Sequence, residues 1–327
     1  MRFKIKYTKL GNQFFFISNL AEWHFSCRTH YNEKWIKEGG PLSYQEKKAL
    51  KEFGRIMKKY TFRQKNKTDV YLGIPFITFP NTLAWERVER WVNKKEYLKI
   101  KEIFNVFSVR FKKNWLAGYK ELKKAKLKLE KELNKKKNIE ILRILSNLFS
   151  NKELLNEDIE IYLLISPSKT GMGGGANIGP ESITFECSDI KKDDLPRALL
   201  IIFHEISHLF ERKELNSLLK KYINNLNKKE KEKIKKSKIY QEIKDFEIII
   251  NEMIVSSLLP EGYLSERLTG KKIIKLIVRK QRTFKNLRYY GAYYLYSLVR
   301  EYIKRQKPLD EIFIRKTFQL FKRFEHL

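Results

Sequence analysis

Five histidines occur in the chain, at positions 24, 30, 204, 208 and 326, and two of them fall in His204-Glu205-Ile206-Ser207-His208. On a helix, residues four apart share one face, so both imidazoles of this H-E-x-x-H spacing can reach a single ion. Neutral imidazole is a good zinc ligand. Glu205 stands beside the first ligand, where its carboxylate can lie next to a water on the ion and take its proton. The chemistry open to such a set is hydrolysis of an acyl bond. The plainer alternative is a helix whose two histidines only pack and hydrogen-bond. Against it, the flanking Ile201, Ile202, Phe203, Ile206, Leu209 and Phe210 are apolar. Such a helix must be buried, and buried histidines beside a glutamate need partners.

A catalytic zinc (Zn2+) site commonly has three protein ligands and an open position for water. No histidine lies in the ten residues after His208, so the third ligand must come from elsewhere. The run FEIIINEMIVSSLL (246–259) holds Glu252 in an otherwise apolar stretch, and a charge there is costly unless it is paired or bound to metal. Glu247 is a competitor on a different helix face. A buried salt bridge is the other role open to Glu252.

The elements that must position these residues can be read outward from them. Asp193-Asp194-Leu195-Pro196 is an N-cap followed by proline in the first turn, a helix start for RALLIIFHEISHLFER. Before it, IEIYLLISP (159–167) and SITFEC (182–187) read as neighbouring strands of one sheet, with a loop between them that holds five glycines in SKTGMGGGANIG. After it, the lysine-rich residues 216–238 suggest a helical hairpin. A helix over 240–259 is stopped by Pro260, and two more run over about 271–306 and 309–325. Toward the N-terminus, Phe3–Tyr7 and Phe14–Ser18 read as two short strands joined around the turn pair Gly11-Asn12. Helical periodicity covers 44–60, 84–116, 119–135 and 138–150. YLGIPFITFPN (71–81), aromatic and interrupted by two prolines, reads as extended.

On HEISH, the downstream NEMI and the strand pair ahead of them, residues 157 to 300 resemble the gluzincin class of zinc metallopeptidases, the thermolysin-like and aminopeptidase-like enzymes. The resemblance implies that His204, His208 and Glu252 bind zinc and that Glu205 is the general base. It also implies an antiparallel edge strand that pairs with an extended substrate, for which SITFEC is the match. The chain departs from the class in three places. Where thermolysin-like members carry an aspartate one turn after the ligand glutamate, this chain has Ser256, so the groups orienting its ligand histidines must differ. Where aminopeptidase-like members hold a substrate amino terminus with the glutamate of a Gly-x-Met-Glu-Asn loop, the stretch Gly173 to Asn177 has Ala176. Their substrate tyrosine, three residues before a glycine, is here Arg288 in RYYGAYY (288–294), with Tyr289 and Tyr290 alongside. Tyr289 or Arg288 is the candidate donor to a developing oxyanion, and core packing is the expected role of the other tyrosines.

Composition bounds the rest. The 327 residues are 42% hydrophobic and 13% aromatic, a globular balance, and the formal net charge is +31. The lysines alternate with glutamates, as in KELKKAKLKLEKELNKKK (120–137), where Leu122, Leu129 and Leu133 recur near helical spacing. That pattern is the wet face of an amphipathic helix. A nucleic-acid surface stays the less supported reading because no binding motif accompanies the charge. No apolar run spans a bilayer, no secretory signal is expected, and Cys27 and Cys187 allow no disulfide framework, so the expected compartment is the cytoplasm. His24, Cys27 and His30 are spaced by three but lack a fourth ligand, and the glycine loop lacks the Lys-Ser/Thr ending of a P-loop.

The sequence thus predicts an α+β fold. Residues 1–150 form a mostly helical N-terminal lobe, and 151–327 a zincin-like metallopeptidase domain with a small sheet and a Lys-rich helical insertion at about 213–238. The expected function is zinc-dependent hydrolysis of internal bonds in a peptide or protein substrate. A zinc hydrolase of a non-peptide amide or ester, or a basic nucleic-acid-binding helical protein with a structural metal site, is the alternative.

Overall fold

In the computed structural model, residues 2–24, 26–60, 71–167, 171–176, 181–211, 213–236, 240, 245–270 and 287–323 are described. They form an α+β structure of two compact units, one made of Phe3–Glu132 and Ile159–Lys192, the other of Leu133–Asp158 and Asp193–Leu327 with the first two residues.

The first unit contains a mixed sheet of β1 (Phe3–Lys6), β2 (Ile159–Ile165), β3 (Gly173–Gly175) and β4 (Ser182–Cys187), in the order β1-β2-β4-β3. β1 and β4 flank β2 in parallel, with Phe3 opposite Ile159 and Glu160 opposite Ser182. β3 runs antiparallel to β4. β2 and β4 are buried on both faces, which is why their sequences read as continuous apolar runs without alternation. SITFEC is therefore an inner strand and not the antiparallel edge strand expected of it; the edge is the glycine strand β3. Gly173 has no side chain because a Cβ there would overlap the Arg28 guanidinium and the Glu186 carboxylate.

Helices α1 (Lys9–Leu20), α2 (Thr29–Gly39), α3 (Tyr44–Tyr60), α4 (Ile74–Thr78), α5 (Asn81–Trp91), α6 (Lys94–Val106) and α7 (Ser108–Leu133) complete this unit. α1 replaces the second strand of the expected hairpin. Thr8 caps it by accepting from the Gly11 N–H at 2.9 Å, and Leu10, Phe14, Ile17 and Leu20 are buried at helical spacing. Gly11-Asn12 lies inside the helix, not in a turn. Asn12 donates to the Leu163 carbonyl and accepts from the Ile165 N–H, which fastens α1 to β2. The stretch read as extended at 71–81 contains α4, because Pro75 and Pro80 stand at helix starts, where a missing N–H costs nothing. Phe14, Phe53, Phe76 and Phe104 are core residues of the unit.

The second unit holds α8 (Lys136–Leu148), α9 (Leu195–Leu209), α10 (Lys213–Asn224), α11 (Lys228–Lys235), α12 (Phe246–Leu258), α13 (Tyr263–Thr269), α14 (Leu287–Lys304) and α15 (Glu311–Arg323). α10 and α11 are the two helices of the lysine-rich stretch, and Asn227 and Glu230 form a reciprocal capping box at the start of the second. α12 is the hub, touching α9, α10, α13, α14 and α15, and is apolar nearly all round as a buried helix must be. Gly291 lets α14 approach it closely, since a Cβ there would lie 2.6 Å from Met253 Cγ and 3.0 Å from the Met253 carbonyl oxygen. The helix expected over 271–306 is described only from Leu287. No described helix is long and apolar enough to cross a membrane.

Candidate metal centre

α9 carries HEISH. Pro196 stands in its first turn, and Asp194 occupies the N-cap position without a side-chain capping bond, so the cap expected there is absent. Ala198, Leu199, Ile202, Phe203 and Ile206 bury the helix and carry His204 and His208 inward with them. α12 is firmly started: Asp245 Oδ1 accepts from the backbone N–H groups of Glu247 and Ile248. Two turns on, it presents Glu252 to α9.

The result is a cluster in which His204, His208 and Glu252 each offer one ligand atom within 4.8 Å of the others. Glu252 Oε1 lies 3.4 Å from His208 Nε2, and Oε2 lies 3.7 Å from His204 Nε2. The two imidazole planes are at 86° with centroids 5.0 Å apart. In each ring Nδ1 is already engaged, as donor to the Leu259 carbonyl at 2.8 Å from His204 and to Glu211 Oε1 at 2.7 Å from His208. In its neutral form, a ring that donates through Nδ1 leaves Nε2 as a lone pair. His208 Nε2 is fully buried and has no well-formed hydrogen bond.

Burial alone would raise the Glu252 carboxyl, but the imidazoles of His204 and His208 outweigh it and hold it well below the usual carboxylate range. Burial works against a charge on His208, whereas Glu211 and then Glu252 raise it well above its ordinary value. Three donors of this kind, a buried lone pair among them, fit the N/O preference and ligand number of a catalytic zinc site.

Glu205 is half-buried on the same helix, and no side chain among the described residues binds its carboxylate. Glu247, the competitor to Glu252, lies outside the cluster and pairs with Lys220 at 3.8 Å. Ser256 is fully buried and its Oγ lacks a hydrogen-bond partner, so it orients neither histidine. That work falls to two groups the sequence reading did not single out, the Leu259 carbonyl and Glu211. Glu211 had a visible signal, because it stands three residues after His208, within one helical turn. The side chains of Arg288 and Tyr289 lie outside the described residues, while Tyr290 is buried, as a packing residue would be. His24 and Cys27 are engaged locally, by Ser26 Oγ and by the Ser18 carbonyl, and form no ligand cluster among the described residues.

No protein-family model, curated protein or solved structure matches this chain.

Proposed function

We propose that the chain is a zinc-dependent peptidase with a zincin-like metal centre, in which His204, His208 and Glu252 hold the ion and Glu205 is the general base. The observation that carries the reading is the convergence of two Nε2 atoms and one carboxylate, with both Nδ1 atoms already spent on other acceptors. When bound, zinc supplies a Lewis acid for the scissile carbonyl and a water of pKa near 7. Glu205, beside the ligand set, would be the group that accepts a proton and hands it on to the leaving nitrogen.

Ala176 in place of a terminus-binding acid favours cleavage inside a chain. A peptide with a free amino terminus and its acetylated form, incubated with the zinc-loaded protein, test this. The expected result is equal cleavage of both at an internal bond. Release of single residues from the free peptide alone rules out internal cleavage, and intact peptides beside bound zinc move the substrate to another acyl compound.

A further inference from the structure

Glu211 is an anomaly for α9. It lies immediately past the C-terminus of the helix, where the helix dipole disfavours negative charge, and its side chain is only 14% exposed. Among the described residues, no lysine or arginine pairs with it. Its Oε1 accepts from His208 Nδ1 at 2.7 Å and its Oε2 accepts from Asn251 Nδ2 at 3.2 Å. Asn251 in turn is the neighbour of Glu252 on α12. One carboxylate therefore joins the helix that carries two candidate ligands to the helix that carries the third.

We infer that Glu211 is a positioning residue for the metal centre, acting through His208 and held in place by Asn251; the inference rests on the zinc reading of His204, His208 and Glu252. By accepting from Nδ1, Glu211 fixes the ring plane of His208, with Nε2 facing Glu252, and keeps Nε2 as the nitrogen left for a metal. As a carboxylate, it also makes that imidazole a stronger donor than the neutral Leu259 carbonyl makes His204. Asn251 prevents the Glu211 carboxylate from swinging toward solvent, and so contributes only while Glu211 is present.

The test is zinc affinity, measured by competition with a chromophoric chelator, with the visible spectrum of the cobalt(II)-substituted protein as a second readout. Wild type, Glu211→Gln, Glu211→Ala, Asn251→Ala and the Glu211→Ala/Asn251→Ala double variant are compared, with His208→Ala as the reference for a lost ligand. We expect Glu211→Ala to weaken zinc about ten- to a hundredfold. The isosteric Glu211→Gln, which keeps a neutral acceptor, should fall between it and wild type. Asn251→Ala should weaken zinc less, and in the Glu211→Ala background it should add no further loss. The cobalt spectrum should change in Glu211→Ala, because the ring plane of one ligand is released. If wild type binds zinc and His208→Ala does not, but both Glu211 variants bind as tightly as wild type, the inference is overturned. Loss of melting temperature alone, with zinc affinity unchanged, would make Glu211 a tie between helices and overturn it equally. Failure of the underlying reading looks different: wild type and His208→Ala then bind zinc alike or not at all.

Discussion

Glu205 and Glu252 are both partly buried carboxylates close to the histidines, yet their surroundings separate their roles. Glu252 is set against two Nε2 atoms, whereas Glu205 keeps its oxygens unengaged among the described residues. Glu205→Gln preserves size and cannot accept a proton, so hydrolysis should fall by about 10²–10⁴-fold while zinc stays bound. Glu252→Ala removes a ligand and should lower zinc content in the purified protein. Elemental analysis beside a peptide assay checks both variants, and zinc loss in the first with retention in the second would exchange the two assignments. The three-residue cluster was readable in the sequence because i, i+4 geometry is a property of any helix, and because a glutamate among isoleucines needs a reason to be there. Glu211 was readable only as a neighbour three residues after His208, and the Leu259 carbonyl was not readable as a partner at all. The position of that carbonyl depends on how the chain leaves α12, which side-chain spacing does not encode.

At the scale of elements, the sequence misled where one pattern satisfied two periods. Phe14, Phe16 and Ser18 alternate as a strand would, but Phe14, Ile17 and Leu20 also fit a helix. Thr8 settles the conflict with its cap. Prolines at 75 and 80 look like interruptions of an extended run but stand at helix starts. The family resemblance implies an edge position for β4, and the three-glycine strand that makes it an inner strand carries no side-chain signal.

Two predictions belong to this scale. A Cβ at Gly262 would overlap the Ser257 carbonyl, in the last turn of α12. Backbone cannot yield as a side chain does, so Gly262→Ala should cost more than the roughly 1–3 kcal/mol typical of overpacking and disturb the nearby Leu259 carbonyl that holds His204. Gly291→Ala meets the flexible Met253 side chain as well as backbone and should cost less. Urea unfolding of the two variants decides the order. The second concerns Asp310, which accepts from the Phe313 N–H at 3.0 Å and the Tyr302 hydroxyl at 2.6 Å and pairs with Lys307 at 2.6 Å. Burial would raise its carboxyl, but Lys307, Tyr302 and the cap outweigh this and lower it to about 2. A depressed carboxyl contributes stability above its unfolded value, near 3.9, and loses it as pH falls through the folded one. Asp310→Ala should cost about 1 kcal/mol at neutral pH. Asp310→Asn can still cap but carries no charge, so its deficit against wild type should narrow as pH drops from about 4 toward 2.

For the whole molecule, the decisive feature is that all three candidate ligands belong to one compact unit, on α9 and α12, while the sheet belongs to the other. A ligand that binds only the folded state stabilises it by mass action, about 2.7 kcal/mol at a free concentration a hundred times its dissociation constant. That stabilisation acts on whatever must open to release the ion, namely the packing of α9 against α12 with its extensions through Leu259 and Glu211. Hydrogen exchange should therefore slow in 195–211 and 246–259 when zinc is added to metal-free protein, because those amides exchange through openings that break the cluster. Amides of β2, β4 and α1 report on the aromatic core of the other unit, which holds none of the three ligands, and should exchange at nearly the same rate with or without metal. The measurement is a peptide-resolved exchange course on the full chain, with zinc, after chelation, and in His208→Ala with zinc. Protection confined to the two ligand helices, and absent in His208→Ala, is the expected outcome. Equal protection across both units would show that the ion acts elsewhere, and no change in α9 or α12 at saturating zinc would remove the cluster from consideration as its site.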